Sequence, residues 1–280
     1  MKILYTSDLH GRIGFYQQLL KLTKKEKVDA VVIGGDILPA EGYFEDPIEI
    51  QRSFINNSLR PFLKGFKRVC PRIRIYIMMG NDDWAINMPL FEEMERNKIL
   101  HLLHKRVYRL KGDFFLAGYG CVPPTPFFIK DWERLDDMTH PPLENIYLSC
   151  ISTDNGISRV DSMTWFCGHK TIKEEFEEMA QLSPPKDTIY IIHTPPYGTA
   201  LDMLQDETHC GSRSVSGFIE KYQPLLTLHG HIHESPRVSG KYMERIGRTV
   251  SINPGQDGER LQAVVFEIPD ILLSIRHVEG

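Results

Sequence analysis

Short apolar runs alternate with amphipathic stretches along the first third of the chain. Lys2 to Ser7 reads as a buried strand. Ile13 to Lys25 carries Phe15, Leu19, Leu20 and Leu22 at helical spacing. Asp29 to Ile33 is β-rich and ends at Gly34-Gly35, Pro47 to Leu63 again reads as helix, and Ile73 to Met79 is a third strand ending at Gly80. Strand, helix, strand, helix, strand predicts a parallel sheet with crossover helices. Ligands in such sheets bind beyond the carboxyl ends of the strands.

The pattern then changes. Val107 to Leu110 and Phe114 to Ala117, separated by Lys111-Gly112-Asp113, predict a hairpin. Gly120 to Phe166 mixes Pro123, Pro124, Pro126, Pro141 and Pro142 with Phe127, Phe128, Trp132, Tyr147 and Trp165. Proline breaks regular structure, while so many aromatics argue against disorder. An ordered loop insertion is expected there, with one short helix near Lys130 to Asp137, roofing a site or meeting another subunit. Lys170 to Leu182 predicts a helix stopped by Pro184-Pro185, and Thr188 to Ile192 a strand that delivers His193. Arg213 to Tyr222 predicts a helix, and Pro224 to Leu228 a strand before Gly230. Strand-like runs follow around Tyr242 to Ile246, Ala263 to Ile268 and Ile271 to His277. No repeat or linker divides this pattern, so one domain over residues 1–280 is expected, with an insertion at about 120–166.

Composition narrows the class. The 280 residues are 41% hydrophobic and 25% charged, which suits a globular chain with a substantial core. A net charge of −4 gives no overall grip on nucleic acid or anionic membrane. No apolar run approaches the ~20 residues of a membrane helix, and the start shows no signal-peptide pattern. The five cysteines are an odd number without a C-x-x-C pair, which reads as reduced thiols in a cytoplasmic protein.

Five polar clusters carry the chemistry: Asp8-Leu9-His10, Gly35-Asp36, Gly80-Asn81-Asp82, His193 and Gly230-His231-Ile232-His233. Most follow a strand-like run. In extended backbone, residues i and i+2 point the same way, so Asp8 and His10 can share one cation. His231 and His233 can do the same, or diverge to two ions if the backbone turns. Asp36 follows two glycines, which permit close approach, and Asn81 offers an amide oxygen. Singly, each has a plainer role as turn former, helix cap or structural histidine. Together they supply seven ligand side chains, and one site for two cations explains them better than seven unrelated roles.

The order of these clusters resembles the calcineurin-like metallophosphoesterase superfamily: Asp-x-His, Gly-Asp, Gly-Asn-His/Asp/Cys, a lone His, then Gly-His-x-His. The match spans Asp8 to His233, and Ile252-Asn253-Pro254-Gly255 is similar to that family's closing segment. The resemblance implies an α/β fold, a four-layer α/β/β/α sandwich of two mixed sheets flanked by helices. It implies that Asp8, His10 and His233 hold one metal, that Asn81, His193 and His231 hold a second, and that Asp36 bridges both. It further implies hydrolysis of phosphate esters, with two divalent ions generating a bridging hydroxide that attacks in line. Four histidines among the ligands argue against magnesium and suit manganese, iron, zinc, cobalt or nickel.

One position departs from the pattern. Many active relatives carry histidine after Gly-Asn, where it binds phosphate and protonates the leaving group; here Asp82 follows, with Asp83 and Trp84. An ionised aspartate is a poor acid and repels a dianionic monoester more than a monoanionic diester, so a small-molecule phosphodiester or an activated ester is the expected substrate. Asp82 read as a silent turn residue is the plainer alternative. Ser212 and Arg213 open a helix whose N–H groups could receive phosphate, although Ser212 also reads as a simple cap. The Gly120 to Phe166 region and side chains near Asp83, Trp84 and Tyr197 would read the leaving group. A metal-binding interaction scaffold with weak or no catalysis is the alternative from another class. A nuclease ranks lower, since no basic, aromatic-studded track appears, and a homo-oligomer stays open.

Overall fold

The computed structural model describes residues 1–40, 46–139, 149–256 and 258–280. Its strands are β1 (Lys2–Thr6), β2 (Ala30–Gly34), β3 (Arg74–Met78), β4 (His101–Leu102), β5 (Val107–Arg109), β6 (Phe115–Tyr119) and β7 (Cys150–Thr153). They continue as β8 (Gly156–Arg159), β9 (Thr188–Ile192), β10 (Leu226–Leu228), β11 (Met243–Ile246), β12 (Thr249–Ile252), β13 (Gln262–Glu267) and β14 (Arg276–Glu279). One six-stranded sheet has the order β14-β13-β1-β2-β3-β4, the other β11-β12-β10-β9-β6-β5. In the first, β1 to β4 run parallel and β13 pairs antiparallel with both β1 and β14. In the second, β6, β9, β10 and β12 run parallel, with β5 and β11 antiparallel at the edges.

The central strands are apolar on both faces because both are covered, as parallel sheets require. Ile3, Tyr5, Ala30, Val32, Tyr76 and Met78 pack with Ile189, Ile191, Leu226, Leu228, Val250 and Ile252 in one core. The alternate residues Leu4, Val31, Ile33, Ile75 and Ile77 pack instead with Phe15, Tyr16, Leu19, Leu63 and Phe66 of the helices. The period of two along each strand thus separates an inter-sheet core from helix-facing layers, giving the four-layer sandwich. On the second sheet, Tyr190 faces the helices Ile172–Met179 and Arg213–Tyr222, whose Phe176 and Phe218 rings stand 4.7 Å apart.

Several local expectations need correction. The helix from Pro47 continues to Val69, because a π-type turn at Ile55–Leu59 absorbs Pro61, which cannot complete regular helical bonding. No helix forms at Lys130 to Asp137. The buried Lys130 ammonium instead bonds the Thr125 carbonyl at 2.9 Å and both Glu133 carboxylate oxygens at 2.9 Å, tying an irregular loop together. The insertion also contains the β7–β8 hairpin and a helix at Ser162–Cys167, neither of which was foreseen. Pro141, Pro142 and Tyr147 lie outside the described residues. The final run splits into a helical turn at Ile271–Ser274 and β14, because the Ser274 hydroxyl donates back to the Asp270 carbonyl at 2.6 Å. A helix at Met88–Arg96 and strands β4 and β12 were also not anticipated. All five cysteines are free.

Asp83 fixes the loops that leave β2 and β3. Its wholly buried carboxylate accepts hydrogen bonds from Ile37 N at 3.1 Å, Leu38 N at 2.8 Å and Gly80 N at 2.9 Å. It is therefore a structural clamp, not a reader of the leaving group. Replacing it strands three buried donors. Asp83→Ala is expected to lose roughly 3 kcal/mol or more of unfolding free energy in a urea titration; an unchanged midpoint would contradict the clamp.

Candidate metal centre

All five clusters stand at carboxyl ends of strands: β1, β2 and β3 in one sheet, β9 and β10 in the other. The two sheets meet there through hydrogen bonds. His193 Nδ1 lies 2.9 Å from the Gly34 carbonyl, and His231 N donates to Asp8 Oδ1 at 3.0 Å. Asn253, from the closing segment, donates from Nδ2 to the carbonyls of Leu201 and Ile232, each at 3.0 Å, and braces the histidine loop.

The seven residues converge. Asp8, His10, Asp36 and His233 form one group, and Asp36, His193 and His231 a second, each with ligand atoms within 4.8 Å of one another. Asp36 belongs to both. Asn81 joins the second through Oδ1, 3.1 Å from His193 Nε2, which is also 3.1 Å from Asp36 Oδ2. His231 and His233 go to different groups, the divergent one of the two arrangements that their spacing allowed.

The backbone reaches this geometry by turning. Asp8, His10, Asp36 and His231 have φ of 60°, 42°, 47° and 67°, in the left-handed region that side chains avoid. Asp8 and His10 therefore converge through a turn, and the extended-strand rationale is wrong for them. Such strain costs about 1–3 kcal/mol per residue and gathers at functional sites. Glycine provides the clearance: a Cβ at Gly80 would collide with the Asp36 carboxylate, and one at Gly230 with Ser7 and Asp8.

Electrostatics indicate what the site lacks by itself. Burial raises Asp36, but the charge of His193 overrides it and holds Asp36 below the usual carboxylate range. Burial likewise raises Asp8, yet His233 brings it down. Burial lowers the two imidazoles, but Asp36 lifts His193 to about 9 and Asp8 lifts His233 to about 9. Burial, then the positive His193, takes His231 down to about 3, and burial also lowers His10. Without metal, then, two protons balance two buried carboxylates. His10 Nε2 and His233 Nε2 face each other at 3.1 Å, which needs a proton or a cation between them, and His10 Nδ1 is buried without a hydrogen-bond partner. Nitrogen and carboxylate donors set this way suit divalent transition metals.

Asp82 sits at the rim, its side chain 27% exposed. Its Oδ1 accepts from Asn81 Nδ2 at 2.8 Å and its Oδ2 lies 3.6 Å from His10 Nδ1. Burial and then the Asp36 carboxylate push it up to about 7 in the metal-free protein. The structure corrects the phosphate site suggested at Ser212 and Arg213. Asp136, overlooked in the sequence, already fills that helix end, accepting from the Ser212 hydroxyl and from Arg213 N at 2.7 Å. Ser212 is a buried cap bonded to Val215 N at 3.0 Å, and the Arg213 guanidinium lies 3.7 Å over the Tyr197 ring.

Comparison with known proteins agrees with this architecture. Residues 1–235 match the Calcineurin-like phosphoesterase family, and the chain belongs to that family. Over 135 residues it is 33% identical to a UPF0046 protein of Caenorhabditis elegans; that alignment spans 43% of this chain and 44% of that one, less than half of each. Among solved structures, TT1561 of Thermus thermophilus is similar over 99% of this chain and 98% of its own, with 16% identity and a TM-score of 0.57. A dimetal phosphatase from Danio rerio is similar over 100% and 98%, with 10% identity and a TM-score of 0.54. At such identities the likeness is one of fold. No helix among the described residues is long and apolar enough to cross a membrane.

Metal loading should release protons. Both raised imidazoles must lose theirs to bind a cation, so affinity should climb with pH up to about 9 and flatten above it. Calorimetric manganese titrations, in buffers of different ionisation enthalpy, are expected to show about two protons released per loaded centre at pH 8, and close to a third, from Asp82, at pH 6. Binding without proton release would contradict this charge balance.

Proposed function

We propose that the chain is a dinuclear metal-dependent phosphodiesterase acting on a small-molecule phosphate ester. The convergence of all seven donors on two groups that share Asp36 carries this reading. Asp8, His10 and His233 would hold one divalent ion, Asn81, His193 and His231 the other, and Asp36 would touch both. Such ions, of manganese, iron, zinc, cobalt or nickel, supply Lewis acidity toward the phosphoryl oxygens and acidify a water.

The residues around them act in distinct ways. The Gly34 carbonyl holds the proton of His193 on Nδ1 and leaves Nε2 directed into the centre. Asn81 contributes a neutral oxygen, so the ligand set leaves excess positive charge for an anionic ester. Asp82 limits which ester fits. Cations beside it would pull it back below its metal-free value, so it stays ionised, withholds a proton from the leaving group and repels a dianion most. A monoanionic diester with a good leaving group suffers least. The free cysteines support a reducing, cytoplasmic setting for this activity.

With manganese, kcat/KM for bis(p-nitrophenyl) phosphate is expected to exceed that for p-nitrophenyl phosphate. Asp82→His should move that ratio toward the monoester by at least about tenfold, and His231→Ala should cost about 100-fold or more on both. A monoester preference in the wild type would refute the diester assignment. Tight manganese binding with no turnover of either ester would refute catalysis and favour a scaffold.

A further inference from the structure

The insertion after β6 walls an apolar cavity of about 400 Å³, within the range of small-molecule sites. Phe127, Phe128, Ile129 and Ile157 line it from the insertion and Trp84 from the loop after β3, with Trp84 and Phe128 edge to face at 6.2 Å. Asp82 lines the same cavity while lying 3.6 Å from His10 and bonding Asn81. One residue thus joins the cavity to the metal centre.

We propose that this cavity receives one uncharged aryl or compact alkyl ester group of the phosphodiester, a deepening that rests on the phosphodiesterase reading. Three observations define the occupant. Among the described residues Asp82 is the sole ionisable group in the lining, so a second anionic group is repelled. The Gln51 amide in the lining is already engaged: its Nε2 donates to the Pro39 and Asp82 carbonyls at 3.0 and 2.7 Å, and its Oε1 accepts from Trp84 N at 2.8 Å. Among the described lining side chains, that leaves the Trp84 indole N–H and Asp82 to meet a polar group, fewer contacts than the edge of a base or sugar offers. Phe127 and Ile157, both in the lining, are 53% and 37% exposed, so apolar surface is on offer to a bound group. A larger cavity of about 480 Å³, beside Met1, Asp29 and Arg74, lies at the opposite ends of the strands and holds none of the seven ligands.

Binding of two phosphonate esters of equal charge tests the assignment. Phenyl methylphosphonate is expected to bind the manganese-loaded protein at least about tenfold more tightly than methyl methylphosphonate by calorimetry. Ile157→Trp, which fills the cavity from an exposed hairpin position, should cut that ratio at least threefold, and Phe127→Ala, which strips its wall, should do the same. Equal affinities in the wild type, or a ratio unmoved in both variants, overturns the proposal. The affinity ratio reports on the cavity, whereas manganese-dependent hydrolysis of bis(p-nitrophenyl) phosphate reports on the phosphodiesterase reading itself, so either can fail alone.

Discussion

Two buried carboxylates, Asp8 and Asp36, sit at neighbouring strand ends with almost no access to water. Charge placed so is costly unless it is paired. The polypeptide has only the protons on His193 and His233 to offset it, and those imidazoles would otherwise be neutral at such burial. That demand for positive charge connects the fold to its chemistry. It explains why nitrogen donors crowd within hydrogen-bonding range of one another, and why a cation with an open side would meet an anionic ester there.

The sandwich exists to hold that charge still. β1, β2 and β3 end side by side, and β9 and β10 end opposite them, so both sheets deliver donors to one place. The inter-sheet core of Tyr5, Tyr76, Ile191 and Leu228 fixes their separation. At the ends the backbone is bent against its preference at Asp8, His10, Asp36 and His231. The Asp83 clamp and Asn253, both buried, supply the hydrogen bonds that keep those bends in place. The strain belongs to the site, and the surrounding packing offsets it.

The early strands and the ligand clusters were legible because each depends on local order: an apolar run, a glycine, then a donor. The resemblance then named the layers, which periodicity alone did not demand. What stayed hidden depends on partners distant in sequence. Ser212 looked open to phosphate because Asp136, which closes that helix, lies 76 residues away. The loop around Lys130 looked helical in isolation, but its buried ion pair with Glu133 dictates an irregular path. Asp83 was placed beside the leaving group because nothing local tells that its carboxylate turns inward to three backbone donors. Even where the clusters do converge, the reason given for Asp8 and His10 was wrong, since left-handed turns have no signature in the spacing of two residues.

The proposed sharing of Asp36 between two ions is the central claim, and electron paramagnetic resonance of the manganese-loaded protein addresses it directly. Two ions bridged by one carboxylate are magnetically coupled, so the wild type should give the spectrum of an exchange-coupled manganese pair, and Asp36→Asn should abolish that coupling. A wild-type spectrum of isolated manganese ions, or a single ion bound per chain at saturation, would contradict a dinuclear centre.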